Sequence, residues 1–281
     1  MEEKIIQVND YITKSNLPVS DYVINPYIGC PHGCRYCYAR FMKRFTQHEE
    51  PWGEFVDIKE TDKPLDLKKL SGKRVFLSSV TDPYNPAEEK YCKTRNILEQ
   101  LVPCDCFLSI STRSKLILRD IDLLKQMKHL TVSVSLNTMD ESFRSDMDKG
   151  ASVIERLQVL QQLHDSGIYA ILFMSPMFPG ITDFREIIEA SHSFTDAYWF
   201  ENLNLRESFR TDILTYIDEK YPELHDLYDS IYRKKNMQYW EDVSKEIDQY
   251  CQAEGIAYTN FFYHSKLVAE KKKQEKMKIR Q

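Results

Sequence analysis

No apolar stretch of the 281-residue chain is long enough to span a bilayer; the longest, residues 168–174, is far short of a crossing helix. A charged-then-apolar leader is also missing, because Met1-Glu2-Glu3-Lys4 runs into mixed polar residues. These two absences predict a cytoplasmic protein without membrane contact. Charge of one sign is lacking as well. The chain has 38 Lys and Arg against 43 Asp and Glu, a net charge of -5. That argues against a generally basic nucleic-acid binder and leaves room for a local basic groove. The seven cysteines are an odd number in a chain with no secretory signature. They read as ligands and free thiols rather than a disulfide framework. No internal repeat is visible beyond an alternation of strands and helices. What is present is 42% hydrophobic and 12% aromatic residues, enough for one large α/β domain with an appendage.

Three of the cysteines fall inside eight residues, Cys30-Pro31-His32-Gly33-Cys34-Arg35-Tyr36-Cys37. The spacing Cys-x3-Cys-x2-Cys follows an apolar, β-prone run and lacks a nearby fourth thiol. Structural zinc sites close with four protein ligands. A cubane iron–sulfur cluster normally takes four thiolates, so three leave one iron open to chemistry. The alternative is a zinc knuckle with His32 as fourth ligand, although His32 sits inside the first gap, where closing a tetrahedron is awkward. This motif, with an aromatic before its last cysteine, resembles the radical S-adenosylmethionine (SAM) enzymes. The resemblance implies a [4Fe-4S] cluster on Cys30, Cys34 and Cys37, with SAM chelated at the open iron. It also implies reductive cleavage of SAM to a 5'-deoxyadenosyl radical.

Taken in order, residues 1–22 are a polar lead-in broken by Pro18 and Ser20-Asp21. After the cysteines, residues 39–45 predict a helix, and a loop with Pro51, Gly53 and Pro64 follows. Strands are predicted at 75–79, 107–111, 130–136, 168–174 and 197–205. Helices are predicted at 86–101, 120–128, 152–166 and 181–192, with Gly167 a natural C-cap. With the strand before the cysteines, this makes six strand-then-helix units, fewer than the eight of a closed barrel. The fold class is therefore α/β, a partial (β/α)6 TIM-type barrel spanning 23–206. Residues 207–264 keep helical spacing and predict a helical extension in which the strands stop. Its aromatics Tyr228, Tyr232, Tyr239 and Trp240 read as packing against the barrel, with a partner surface as the alternative. Residues 265–281 form a basic tail, read as a solvated end or a phosphate-contacting arm.

In α/β barrels the reactive groups collect at the C-terminal ends of the strands. The second strand ends in Ser78-Ser79-Val80-Thr81-Asp82-Pro83-Tyr84. Ser78, Ser79, Thr81 and Asp82 suit the SAM amino group, and they equally suit capping of the next helix. Arg113, after the third strand, suits the SAM carboxylate; its alternative is an ion pair with Asp120 or Asp122. Ser133 and Ser135 share a strand face and Asn137 follows, which suggests hydrogen bonds to the ribose or the carboxylate. Pro176, in the stretch from Met174 to Gly180, offers apolar surface and free backbone for adenine. Tyr84, Asn202, Asn204 and Arg206 are candidate substrate contacts.

Cys34-Arg35-Tyr36-Cys37-Tyr38, Thr81-Asp82-Pro83, Thr112-Arg113-Ser114, Arg119-Asp120 and Pro176 with Pro179-Gly180 sharpen the resemblance. Together they look like the spore-photoproduct-lyase-like branch, over about residues 20–206. Thr13 to Pro18 and Ala39 to Phe45 also resemble paired radical SAM proteins of mobile elements, which implies a second radical SAM protein as partner. Tyr36 then belongs beside the cofactor, and Tyr38 is a catalytic candidate for relaying hydrogen or simply packs over the cluster. One departure stands out. The lyases carry a cysteine hydrogen donor three residues before the Asp, where this chain has Ser79, whose O–H bond is too strong for that task. Cys92, Cys104, Cys106 and Cys251 read as buried or free thiols rather than an auxiliary cluster. The leading expectation is an enzyme acting on a nucleic-acid base or on a peptide or small molecule, fed by a flavodoxin or ferredoxin-type reductant. The competing expectation is a zinc- or cluster-bearing accessory protein for a paired radical SAM partner.

Overall fold

A computed structural model describes residues 1–17 and 19–262, the side chains of 207 and 208 excepted. The basic tail and residues 263–264 lie outside the described residues. Among the described residues there are eleven strands: β1 (Glu2–Gln7), β2 (Ile12–Lys14), β3 (Tyr22–Ile24), β4 (Tyr27–Ile28), β5 (Phe55–Glu60), β6 (Arg74–Leu77), β7 (Phe107–Thr112), β8 (His129–Ser135), β9 (Ala170–Met177), β10 (Ala197–Asn202) and β11 (Tyr258–Asn260). The main sheet runs β11-β10-β9-β8-β7-β6-β3-β2. Its six central strands, β3 and β6 to β10, are parallel and neighbour each other in chain order. That is the partial (β/α)6 TIM-type barrel, in which parallel neighbours are joined by crossovers that carry helices. β2 closes one edge antiparallel to β3.

The strands' inner residues form the core. Leu77, Ile110, Val132, Leu172 and Phe200 are fully buried. Each such side chain contributes roughly 1.5–3 kcal/mol of burial free energy. Local signals set the helix ends. Ser152 and Glu155 form a reciprocal capping box on helix Val153–Asp165, and Gly167 leaves it with φ +74°. Asp140 and Asp183 cap helices Glu141–Met147 and Phe184–Ser191.

Several elements differ from the sequence reading. The run before the cysteines is two strands rather than one. Pro26 has no N–H to donate to a ladder, and at Asn25-Pro26 the chain leaves β3 in the main sheet for β4 in a second, three-stranded sheet, β1-β5-β4. The polar lead-in, whose packing the sequence leaves open, pairs: β1 runs in parallel with β5 over six residues. β5 itself lies in a stretch read as loop. The predicted helix over 86–101 is split at Cys92, whose φ of +50° ends helix Ala87–Tyr91 before Lys93–Leu101 begins. Residues 38–45 form a 3-10 rather than an α-helix. Beyond residue 207 the chain is helical over Glu207–Lys220 and Gln238–Ala253, but the strands do not stop. β11 pairs in parallel with β10 and extends the sheet. Among the described residues, no helix is long and apolar enough to cross a membrane.

Candidate functional site

The cysteine loop is held in place from three directions. Gly29 has φ +85°, and a Cβ there would collide with the Phe55 carbonyl of β5. A Cβ on Gly53 would lie 2.8 Å from the Gly33 Cα, so the loop and the segment before β5 approach at a distance only glycines allow. Arg35 N donates to Met147 O at 2.9 Å, and Lys149 N donates to His32 O at 2.8 Å. The loop is thereby pinned to residues 147–149. Within it Gly33 N reaches Cys30 O and Cys37 N reaches Cys34 O, both at 3.1 Å. Cys30 and Cys34 are buried and Cys37 is half-buried; all three are free thiols. Burial pushes the Cys30 thiol up to about 12 and raises Cys37 as well. Burial raises Cys34 too, against the pull of the neighbouring Arg113.

Asp82 ties the strand ends together. Its carboxylate accepts from Tyr84 N (2.9 Å), Thr112 Oγ1 (2.7 Å) and Arg113 N (2.9 Å). His32 Nε2 lies 3.3 Å from Asp82 Oδ2. Burial alone would raise this carboxyl, but His32 and the other donors hold it below the usual range. His32, the alternative fourth ligand, thus faces Asp82. Ser78 Oγ donates to Thr81 O, and Thr81 Oγ1 donates to Gly29 O. Asn25 Oδ1 accepts from Ser79 N and Val80 N. These residues build the wall between β6 and the cysteine loop.

Arg113 departs furthest from its sequence alternative. Its partners are not Asp120 or Asp122, which pair with Arg95. Instead Arg113 Nη1 lies 2.9 Å from Cys34 Sγ, 2.8 Å from Tyr36 Oη and 3.5 Å from Asp148 Oδ2. Tyr36 Oη in turn donates to Asp148 Oδ2 at 3.1 Å. Asp148 is buried and also accepts from Gly150 N and Arg156 Nη2. Burial opposes its charge, yet Arg156 and Arg113 hold its carboxyl below the ordinary range. Arg156 is only 1% exposed and donates further to Ala151 O and Ser135 O.

The other predicted positions divide. Ser133 Oγ shares a hydrogen bond with Ser111 Oγ, and Asn137 Nδ2 donates to Pro176 O at 2.9 Å. Both are buried at strand ends with Ser135. Tyr38 Oη donates to Ser79 O, and the Arg206 guanidinium lies over the Tyr38 ring at 5.6 Å. Asn202 ends β10 and Asn204 is exposed beyond it. Tyr84 is fully enclosed in the core and reaches no open surface. Asp148, Arg156 and Asn25 were not singled out from the sequence. A signal existed for Arg156, a cation on the stripe of Val153, Leu160 and Leu163 that faces the core.

Among the described residues, no three His, Cys, Asp or Glu side chains converge as the ligands of one ion must. The cysteine donor set fits a cubane, in which each thiolate meets its own iron.

Known proteins show the same architecture. The family model described as Radical SAM superfamily matches residues 24–191. An uncharacterized protein of Methanocaldococcus jannaschii is 35% identical over 223 residues, 79% of this chain and 85% of its own. A radical SAM Nalpha-GlyT isomerase of Pseudomonas phage M6 is 28% identical over 169 residues, 58% of this chain and 35% of that protein. Among solved structures, spore photoproduct lyase complexed with dinucleoside spore photoproduct superposes with a TM-score of 0.58 at 14% identity, over 78% of this chain and 66% of the lyase. Streptococcus suis SuiB bound to S-adenosylmethionine superposes at 0.54 and 14% identity, over 85% of this chain and 49% of SuiB. These two likenesses concern the fold. The matched segment begins in the strand before the cysteines, ends in the helix after β9 and spans more than half of the chain, which therefore belongs to the radical SAM superfamily.

Proposed function

We propose that this chain is a radical SAM enzyme whose Cys30, Cys34 and Cys37 hold a [4Fe-4S] cluster and whose strand ends hold SAM. The observation that carries this reading is the eight-residue loop of three free thiols, two buried and one half-buried, clamped at the C-terminal ends of the parallel strands with Arg113 beside Cys34. When bound, the cluster and SAM supply a 5'-deoxyadenosyl radical that abstracts hydrogen from the substrate.

The protein's own residues bind, orient and exclude water. Among the described residues, Arg113's side-chain hydrogen bonds run through Nη1, which leaves the Nε–Nη2 edge for the SAM carboxylate. Ser135, Ser133 and Asn137 face the ribose side, and Pro176 the adenine. Asp82, with Ser78, Ser79 and Thr81, shapes the wall that receives the amino group. Tyr36 orients Arg113. The packed barrel keeps water from the reacting centre. Tyr38 relays hydrogen, because Ser79 cannot donate it.

The substrate is a nucleic-acid base in the reading favoured by the mouth of the site. Tyr38 is exposed with Arg206 above its ring, and Phe41 and Phe45 are exposed with Arg44 over both. Aromatic and arginine faces of this kind stack bases. The neighbours whose names mention a dinucleoside photoproduct support it; SuiB, solved bound to its precursor peptide, is the ground for a peptide or small-molecule alternative. A flavodoxin or ferredoxin-type protein supplies the electron, and a second radical SAM protein is a candidate partner.

The test is anaerobic reconstitution followed by incubation with SAM and dithionite. About four iron and four sulfide per chain with release of 5'-deoxyadenosine support the enzyme. One zinc without sulfide, and no deoxyadenosine, returns the chain to the accessory-protein reading.

A further inference from the structure

Arg113, Tyr36, Asp148 and Arg156 form a chain of contacts that ends on sulfur. Arg156 is enclosed in the core and anchored on two backbone carbonyls and on Asp148. Asp148 is further fixed by Gly150 N at 2.8 Å. Its second oxygen takes Tyr36 Oη and faces Arg113 Nη1. The guanidinium is thus held from behind by a buried carboxylate and from the side by a tyrosine. Its leading N–H points at Cys34 Sγ from 2.9 Å. Nothing about SAM binding requires this last contact, since it runs through a different edge from the one left for a carboxylate.

A hydrogen bond and a positive charge at a cluster sulfur stabilise the more negative, reduced state. Hydrogen bonds to the sulfurs are among the terms that set iron–sulfur potentials. Groups behind a ligand that fix its donor tune the metal in the same way. We propose that Arg113 donates to the Cys34 sulfur and thereby raises the reduction potential of the cluster, and that Asp148, held by Arg156, is the positioning residue that keeps it there. This rests on the reading of the cysteine loop as a cluster site.

The experiment is an EPR-monitored redox titration of the reconstituted full-length protein without SAM, with iron and sulfide measured on the same samples. Arg113→Gln is expected to shift the reduction equilibrium about tenfold toward the oxidised form, about 59 mV for a one-electron couple. Arg113→Lys recovers part of that shift, because it keeps the charge and loses the planar fork. Asp148→Asn separates positioning from bulk charge. Loss of a negative charge alone would raise the potential, whereas release of Arg113 lowers it, and lowering is expected. Where Asp148→Asn does not fold, Tyr36→Phe keeps every charge and is expected to lower the potential by a smaller step. A fully loaded Arg113→Gln protein with the wild-type potential overturns the donor role. A raised potential in Asp148→Asn, or an unmoved one in Tyr36→Phe, overturns the positioning role. Wild-type protein that binds no iron and sulfide overturns the cluster reading itself, a failure that metal content reports separately from potential.

Discussion

The molecule contains two buried arginine–carboxylate networks that use the same ingredients differently. In one, Glu88 and Asp120 are both completely buried. Glu88 accepts from Tyr27 Oη, Thr94 N, Arg95 N and Arg119 Nη2, at 2.5 to 3.2 Å. Asp120 takes Arg95 Nη1 and Arg119 Nε, both at 2.8 Å. Its short hydrogen bonds end on a carboxylate or a carbonyl, and Arg119 Nη1 reaches the Cys92 thiol, which lies outside the cysteine loop, only at a long 3.8 Å, so the network ties elements together. In the other, Asp148 is equally enclosed, but one of its arginines directs an N–H to a thiol in the cysteine loop. A closed network is structural; one with a donor left over for a ligand set is placed to act on chemistry. Paired buried charges add little net stability over apolar packing, whereas breaking one is costly. The two networks should therefore fail in different ways.

The largest effect is expected at the sulfurs. Cys34→Ala should reduce iron content and deoxyadenosine release to background, while Cys104→Ala, at a buried thiol outside the loop, leaves both near wild type. Next comes the closed network. Glu88→Gln takes one of its two carboxylates from Arg119, which keeps Asp120, and turns an amide nitrogen toward donors that had an acceptor; it should cost about 1–3 kcal/mol in urea unfolding. The iron bound per folded chain should not change. Loss of iron from a still-folded Glu88→Gln protein would erase the distinction between the networks.

A further buried carboxylate extends the comparison to a cation that can be switched off. Asp57 in β5 pairs with His48 Nε2 at 2.8 Å, and Glu50 takes Nδ1 at 3.0 Å. Burial lowers the His48 pKa, but the hydrogen bonds to Asp57 and Glu50 outweigh it, and the net shift is upward. A raised folded-state value means the pair stabilises fully below about pH 6.5, the ordinary histidine value. That contribution is lost as pH rises through the folded-state pKa. Unfolding midpoints measured from pH 5.5 to 9 should fall on the alkaline side in the wild type and flatten in His48→Gln. The smallest effect belongs to the exposed pair Lys115–Glu155, at 2.6 Å. Lys115→Ala should leave the unfolding midpoint in the same urea assay essentially where it is in the wild type, because solvent screens an exposed pair.

Much of the fold was legible because its signals are local. Six strand runs, each followed by a helical segment, specify a parallel sheet, and Ser152 with Glu155 marks a helix start by chemistry confined to four residues. β5 was hidden because a buried acid, Asp57, interrupts its apolar run between Gly53 and Pro64; only His48, brought back across the turn, makes that acid tolerable. β11 has three residues and no pattern of its own, and it exists because β10 offers an unpaired edge. Tyr84 looked accessible as a strand-end tyrosine and is instead enclosed in the main core.

The cysteine spacing, the order of strand and helix units and the polar strand ends were settled by the sequence alone, because each depends on residues within one turn or one strand of each other. Which donor faces which acceptor was decided only in three dimensions. Arg113, Tyr36, Asp148 and Arg156 lie as much as 120 positions apart along the chain, from 36 to 156. They meet because the parallel sheet brings the ends of β7 and β8 to the cysteine loop. Their charges tolerate burial only in one another's company, since an ion taken from water is stable only where a partner replaces the water.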